Sequence, residues 1–75
     1  MNFNDVALLH EQGKVSDKTM GYCIEVAIRD EHPFWRVEAI KHPNSNEVHL
    51  DMALNDSYLH VRRYALKIKK ERNLS

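Results

Sequence analysis

The sequence predicts a small all-α domain of about five short helices stacked as a repeat. Three observations predict it. Ser16–Lys41 and His42–Lys67 superpose without a gap at an offset of 26 residues, placing Ala27 on Ala53, Asp30 on Asp56, Arg36 on Arg62, Ala39 on Ala65 and Lys41 on Lys67. A fixed period of roughly 20–50 residues marks units that bury their apolar faces against one another. Apolar positions keep the same offset, Ile24 with Leu50, Val26 with Met52, Ile28 with Leu54, Trp35 with Val61 and Ile40 with Leu66. Two glycines and two prolines in 75 residues favour helices over a chain of many turns.

Five helices follow in order. The first spans about Asn4–Gln12 around Val6, Ala7, Leu8 and Leu9, and Gly13 suits its C-terminal stop. The second spans about Asp17–Arg29, capped by Ser16 or Asp17, with Met20, Ile24, Ala27 and Ile28 at helical spacing. Asp30 is expected to cap a third over Glu31–Lys41, with Pro33 in the first turn, where its missing N–H costs nothing. His42-Pro43-Asn44 then breaks the chain. Asn44 and Glu47 have capping-box spacing and open a fourth helix through about Leu54. Asp56 is expected to cap the fifth, about Ser57–Arg72, whose apolar stripe is Val61, Ala65 and Ile68 with Leu66 beside it. CIEVAI holds β-branched residues and admits a strand, but its counterpart HLDMAL reads as helix. The chain divides into an N-terminal helix (1–15), two repeat units (16–41 and 42–67) and a basic helix end (68–75).

Composition narrows the function classes. A domain of this size buries only about 60% of its unfolded surface and is marginal alone. An apolar fraction of 43% argues against disorder. No apolar run approaches the roughly 18 residues of a membrane span. MNFNDVALLHEQG has neither the basic start nor the apolar core of a signal peptide, so a cytoplasmic location and no membrane partner are expected. One cysteine, Cys23, excludes an internal disulfide and a multi-cysteine metal site. The net charge is zero but unevenly spread. Residues 1–57 carry ten acids and five bases, whereas 58–75 carry six bases and Glu71 alone. That asymmetry allows head-to-tail association or an anionic partner for the C-terminal end.

From Asp30 onward the chain resembles a known family. Asp30, Trp35-Arg36, Ala39-Ile40, His42-Pro43-Asn44, Leu50, Ala53-Leu54 and Asp56 follow the pattern of leucine-rich repeat variant units, relatives of the HEAT-like α-solenoids. Val61-Arg62 and Ala65-Leu66 begin another unit. The resemblance is clearest over residues 30–67 and implies a miniature right-handed helical repeat array that acts as a binding scaffold. Two departures stand out: KIKKERN follows Leu66 where another His-Pro-Asn would fall, and none precedes Ser16. Some members carry an iron–sulfur cluster on clustered cysteines, which a single Cys23 does not provide, and no cofactor is expected.

Candidate chemistry is sparse. Asp30…Arg36 and Asp56…Arg62 repeat at a separation of six, and a structural role is expected: each Asp caps a helix while each Arg ties adjacent units. His42 and His49 are separated by Pro43, while His10, His32 and His60 have no i, i+4 partner, so no metal site is expected. His42 is assigned to the turn and His49 to a helix surface. Cys23 with His10 or His49 lacks an orienting third residue and reads as a small hydrophobe. With no phosphate loop and no paired carboxylates, the chain reads as a non-enzyme.

What remains is a surface. If Trp35, Ala39 and Ile40 face the core, Phe34, Val37, Glu38 and Lys41 face outward, and the offset maps them onto His60, Arg63, Tyr64 and Lys67. In HEAT-like solenoids the second helix of each unit lines the concave face, so the resemblance implies one partner-binding patch of these eight residues. Its mixture of aromatic, apolar and basic groups is that of protein interfaces. The alternative packs Phe34 beneath the first helix and leaves the rest solvated. The expected function is a protein-binding adaptor or inhibitor, self-associating as a homodimer that buries Phe34, Val37 or the first helix. Small proteins of this kind are expected among products of phages and mobile elements, acting on a host protein. A second class uses Arg63, Lys67 and Lys70, at i, i+4, i+7, as an anion-binding stripe for nucleic acid.

Overall fold

Short-range signals set the helix starts. A computed structural model describes residues 2–73, which form α1 (Phe3–Glu11), α2 (Asp17–Ile28), α3 (Pro33–Lys41), α4 (Glu47–Leu54) and α5 (Leu59–Glu71), with no strand among them. Asn2 opens α1 through a capping box with Asp5. Gly13, at φ 78°, follows its end in the left-handed region that glycine tolerates. Ser16 caps α2 by accepting the Thr19 N–H, and CIEVAI lies within this helix.

Three caps differ from expectation. α3 begins at Pro33 rather than Glu31, with His32 at the N-cap and no side-chain cap. α5 begins at Leu59, with Tyr58 at the N-cap. Asp30 and Asp56 instead tighten the preceding turns: Asp30 Oδ1 accepts the His32 N–H at 2.8 Å, and Asp56 Oδ1 the Tyr58 N–H at 2.8 Å. A carboxylate two residues ahead of an N–H closes an Asx turn, which holds the backbone extended before the helix starts. The capping box of α4 is Asn46 with His49, each side chain taking the other's N–H at 3.0 Å, and not Asn44 with Glu47. His49 is consequently buried rather than at the surface, its Nε2 3.7 Å from Glu25.

The turns before α3 and α5 are built alike. Arg36 Nη1 donates to the Asp30 carbonyl at 2.7 Å, and Arg62 Nη1 to the Asp56 carbonyl at 2.7 Å. Arg36 also crosses to the next turn, Nη2 donating to Asp56 Oδ1 at 3.1 Å. Arg36 thus joins the two turns as expected, whereas Arg62 holds only its own turn and neither aspartate caps a helix.

One core joins the helices. Met20, Ile24, Ile40, Leu50 and Val61 are fully buried at its centre. α3 lies in the middle, packed against α1, α2, α4 and α5. It buries Val37 together with Ala39 and Ile40, while Trp35 is only half-buried. Val37 thus departs from the outward-facing place that the helical spacing predicts. A helix enclosed on four sides buries more than a single stripe, and the arc between Ile40 and Val37 goes inward with it. No helix of the described residues is long and apolar enough to cross a membrane.

Candidate functional site

α3 and α5 run beside one another and leave a groove of about 490 Å³ between them. Residues at i, i+4, i+7 share a helix face, which puts Phe34, Glu38 and Lys41 on one wall. His60 and Tyr64 line the opposite wall, Val37 contributes to the lining, and Pro33 and Tyr58 stand at the helix starts. Six of the eight residues expected to form one patch thus meet.

The groove is rich in aromatic rings. Phe34 is 58% exposed and stacks edge-on against Trp35 at 4.9 Å between centroids. It is not packed under α1, whose own Phe3 meets His42 instead. His60 and Tyr64 are 5.0 Å apart in the same T-shaped manner. Lys41 Nζ lies 5.7 Å from the Tyr64 ring centre and 3.7 Å from Glu38, so its charge bridges the walls. An exposed phenyl ring in a groove also lined by a cation and a phenol suits an apolar anchor with a polar rim.

Arg63 and Lys67 do not join the groove. They lie with Lys70 on the solvent face of α5, opposite Val61, Ala65 and Ile68. Val37 is already core, so it is not a residue that a homodimer newly buries. Cys23 is free and half-buried in a second groove beside Tyr22 and Val26. No cluster of three metal-ligating side chains occurs among the described residues.

Sequence reasoning missed a polar cluster at the His-Pro-Asn turn. Asp17 Oδ1 lies 2.6 Å from His10 Nε2 and accepts from Asn44 Nδ2 at 3.0 Å. These contacts, His10 first and then Asn44, hold the Asp17 carboxyl below the usual carboxylate range. His42 Nδ1 accepts the Asn44 N–H at 2.9 Å. Partial burial pushes the His42 imidazole below its ordinary value, and the nearby charges of His10 and Arg72 push it the same way. Arg72 fastens the other side of the turn, donating to the Ser45 carbonyl at 2.6 Å and the His42 carbonyl at 3.1 Å. No spacing rule links His10, Asp17 and Asn44, and only the packing of α1 on α2 and on α3, whose end leads into the Asn44 turn, brings them together. The cluster ties the turn to both chain ends and has the character of a structural latch.

No family model, no curated protein and no solved structure matches the chain.

Proposed function

We propose that the chain is a non-enzymatic binding module, an adaptor or inhibitor, that captures an apolar side chain of another protein in the α3–α5 groove. The observation that carries this reading is Phe34, 58% exposed at the mouth of a groove walled by His60 and Tyr64. Burying such a ring stabilises a complex by about 2 kcal/mol, and aromatic residues are enriched among interface anchors. The matching turns at Asp30 and Asp56 support the related reading that the helices are two HEAT-like units, a scaffold suited to binding. An action on a host protein, in a phage or mobile-element setting, belongs to the same proposal.

The test is affinity capture from native extract with the tagged chain and its Phe34→Glu/Tyr64→Ala variant. The variant keeps its helicity by circular dichroism and loses the captured protein. Equal capture by both forms removes the groove from consideration.

One observation favours a second reading, nucleic-acid binding. On α5, Lys69 is paired with Asp51 at 2.7 Å and Arg72 is spent on carbonyls, whereas Arg63, Lys67 and Lys70 make no such contact among the described residues. Three free cations on one face neutralise up to three phosphates, giving a log–log salt slope of about −2.7 on duplex DNA. Fluorescence anisotropy with labelled DNA and RNA at low salt decides it, and no binding there removes this reading.

A further inference from the structure

The second helix of each half is finished differently along one edge. On α3, Pro33, Arg36 and Ile40 form a stripe at i, i+3, i+7; Ile40 is 0% exposed, and Arg36 reaches the Asp56 carboxylate. On α5 the same stripe, 26 residues on, is Leu59, Arg62 and Leu66. Here Leu66 is 49% exposed and Leu59 is similarly open. Arg62 donates to the Asp56 carbonyl, as Arg36 does to that of Asp30, but meets no carboxylate among the described residues.

The complementary deficit lies elsewhere on the molecule. Asp30 occupies the place of Asp56, with the same bond from the second N–H after it and the same arginine on its carbonyl. Yet no cation meets the Asp30 carboxylate among the described residues. It stands at the rim of an open groove of about 430 Å³, lined by Phe3, Val6, Tyr22, Val26 and Trp35. One edge therefore offers an arginine flanked by two leucines. The other offers a carboxylate beside an apolar trough.

We propose that the chain binds a second copy of itself head to tail, with Arg62 of one copy on Asp30 of the next and Leu59 and Leu66 covering the trough. The charge distribution favours this arrangement over its alternatives. Residues 1–57 are net acidic and 58–75 net basic, so unlike ends attract. Two α5 faces set against each other repel through Arg63, Lys67 and Lys70. Arg29 and Glu31 flank Asp30 with opposite signs, so the carboxylate sets the local charge. The contact joins two different surfaces, so it repeats from copy to copy. It uses neither wall of the α3–α5 groove and stands apart from the proposed capture of another protein.

Sedimentation over a concentration series tests it. The average mass rises above the 8.8 kDa monomer with concentration at low salt and falls back at high salt. Leu66→Glu alters an exposed side chain and should leave the fold intact. Leu66→Glu, Asp30→Asn and Arg62→Gln each weaken association by roughly 30-fold or more. Mixing Asp30→Asn, which keeps the Arg62 edge, with Arg62→Gln, which keeps the Asp30 trough, yields a 1:1 dimer that grows no further. Tyr64→Ala, which alters only the α3–α5 groove, leaves association unchanged. A chain that stays monomeric at low salt overturns the proposal, as does association indifferent to Leu66→Glu. A mixture that remains monomeric overturns it as well.

Discussion

Arg36 and Asp56 are twenty residues apart in sequence and share a half-hidden ion pair between the two halves of the molecule. Arg36 Nη2 donates to Oδ1 at 3.1 Å and Nε lies 2.8 Å from Oδ2, with side chains 14% and 9% exposed. The Nε contact is an ion pair without hydrogen-bond geometry. The same guanidinium holds the Asp30 carbonyl, so one side chain joins the turn before α3 to the turn before α5.

Removing that guanidinium leaves a poorly solvated carboxylate. Arg36→Ala is expected to destabilise the fold by about 3 kcal/mol, a lowering of the melting temperature by roughly 12 °C or more for a domain of this size. Arg62→Ala breaks only the bond to the Asp56 carbonyl and should cost about 1.5 kcal/mol. Thermal unfolding followed by circular dichroism ranks the two. Equal losses would show that the Asp56 pairing contributes nothing beyond the carbonyl contact.

The two glycines should respond to alanine with opposite signs. Gly13 has φ 78° and open space where a methyl group would stand, so the penalty of Gly13→Ala is backbone strain alone, about 1 kcal/mol. Gly21 lies inside α2, also with nothing within 4 Å of an added Cβ. Gly21→Ala therefore stabilises by up to about 1 kcal/mol. Urea unfolding midpoints measure both, and a loss at Gly21 contradicts the open helix face.

Stability should fall in acid in two stages. The folded His42 binds its proton less readily than the unfolded chain, whose reference value is 6.5. Its contribution is complete above that value and is lost as pH falls through it toward the lower folded value. Asp17, also lowered, acts in a separate window: its contribution is present above the reference value of 3.8 and is lost below it. The groups around this turn are His10, Asp17 and Arg72. His42→Gln should flatten the first stage and Asp17→Asn the second, read from unfolding free energy against pH.

Arg72 holds the last turn of α5 against the His-Pro-Asn turn through two carbonyls. Arg72→Met keeps the length of the side chain and removes both donors, at an expected cost of about 2 kcal/mol. Hydrogen exchange should quicken at Ser45 and in the last turn of α5 before it does in α2. Uniform quickening would mean the contact is not local.

Much of the helix order is legible in the sequence because it is set by near neighbours. Ser16, Pro33 and Gly13 act through bonds and dihedral angles within a few residues, and they mark boundaries close to those observed. The caps expected at Asp30 and Asp56 fall elsewhere because those carboxylates take the N–H two residues on and close turns. At α4 it is Asn46 rather than Asn44 that accepts from the first turn. The candidate groove is legible in part: the 26-residue offset aligns Phe34 with His60 and Glu38 with Tyr64. Arg63 and Lys67 fall outside it because their positions on α5 turn toward solvent.

By itself the sequence determined an all-helical chain, its turns and the equivalence of Arg36 with Arg62, since capping and apolar spacing act within a few residues. Only the tertiary structure decided that Val37 is core, that Asp17 meets Asn44, and that Arg36 has a carboxylate while Arg62 does not. Burial and ion pairing depend on which elements surround a side chain. α3 is enclosed by four helices and the outer face of α5 by none, a difference that the shared spacing of Arg36 and Arg62 from their aspartates does not carry.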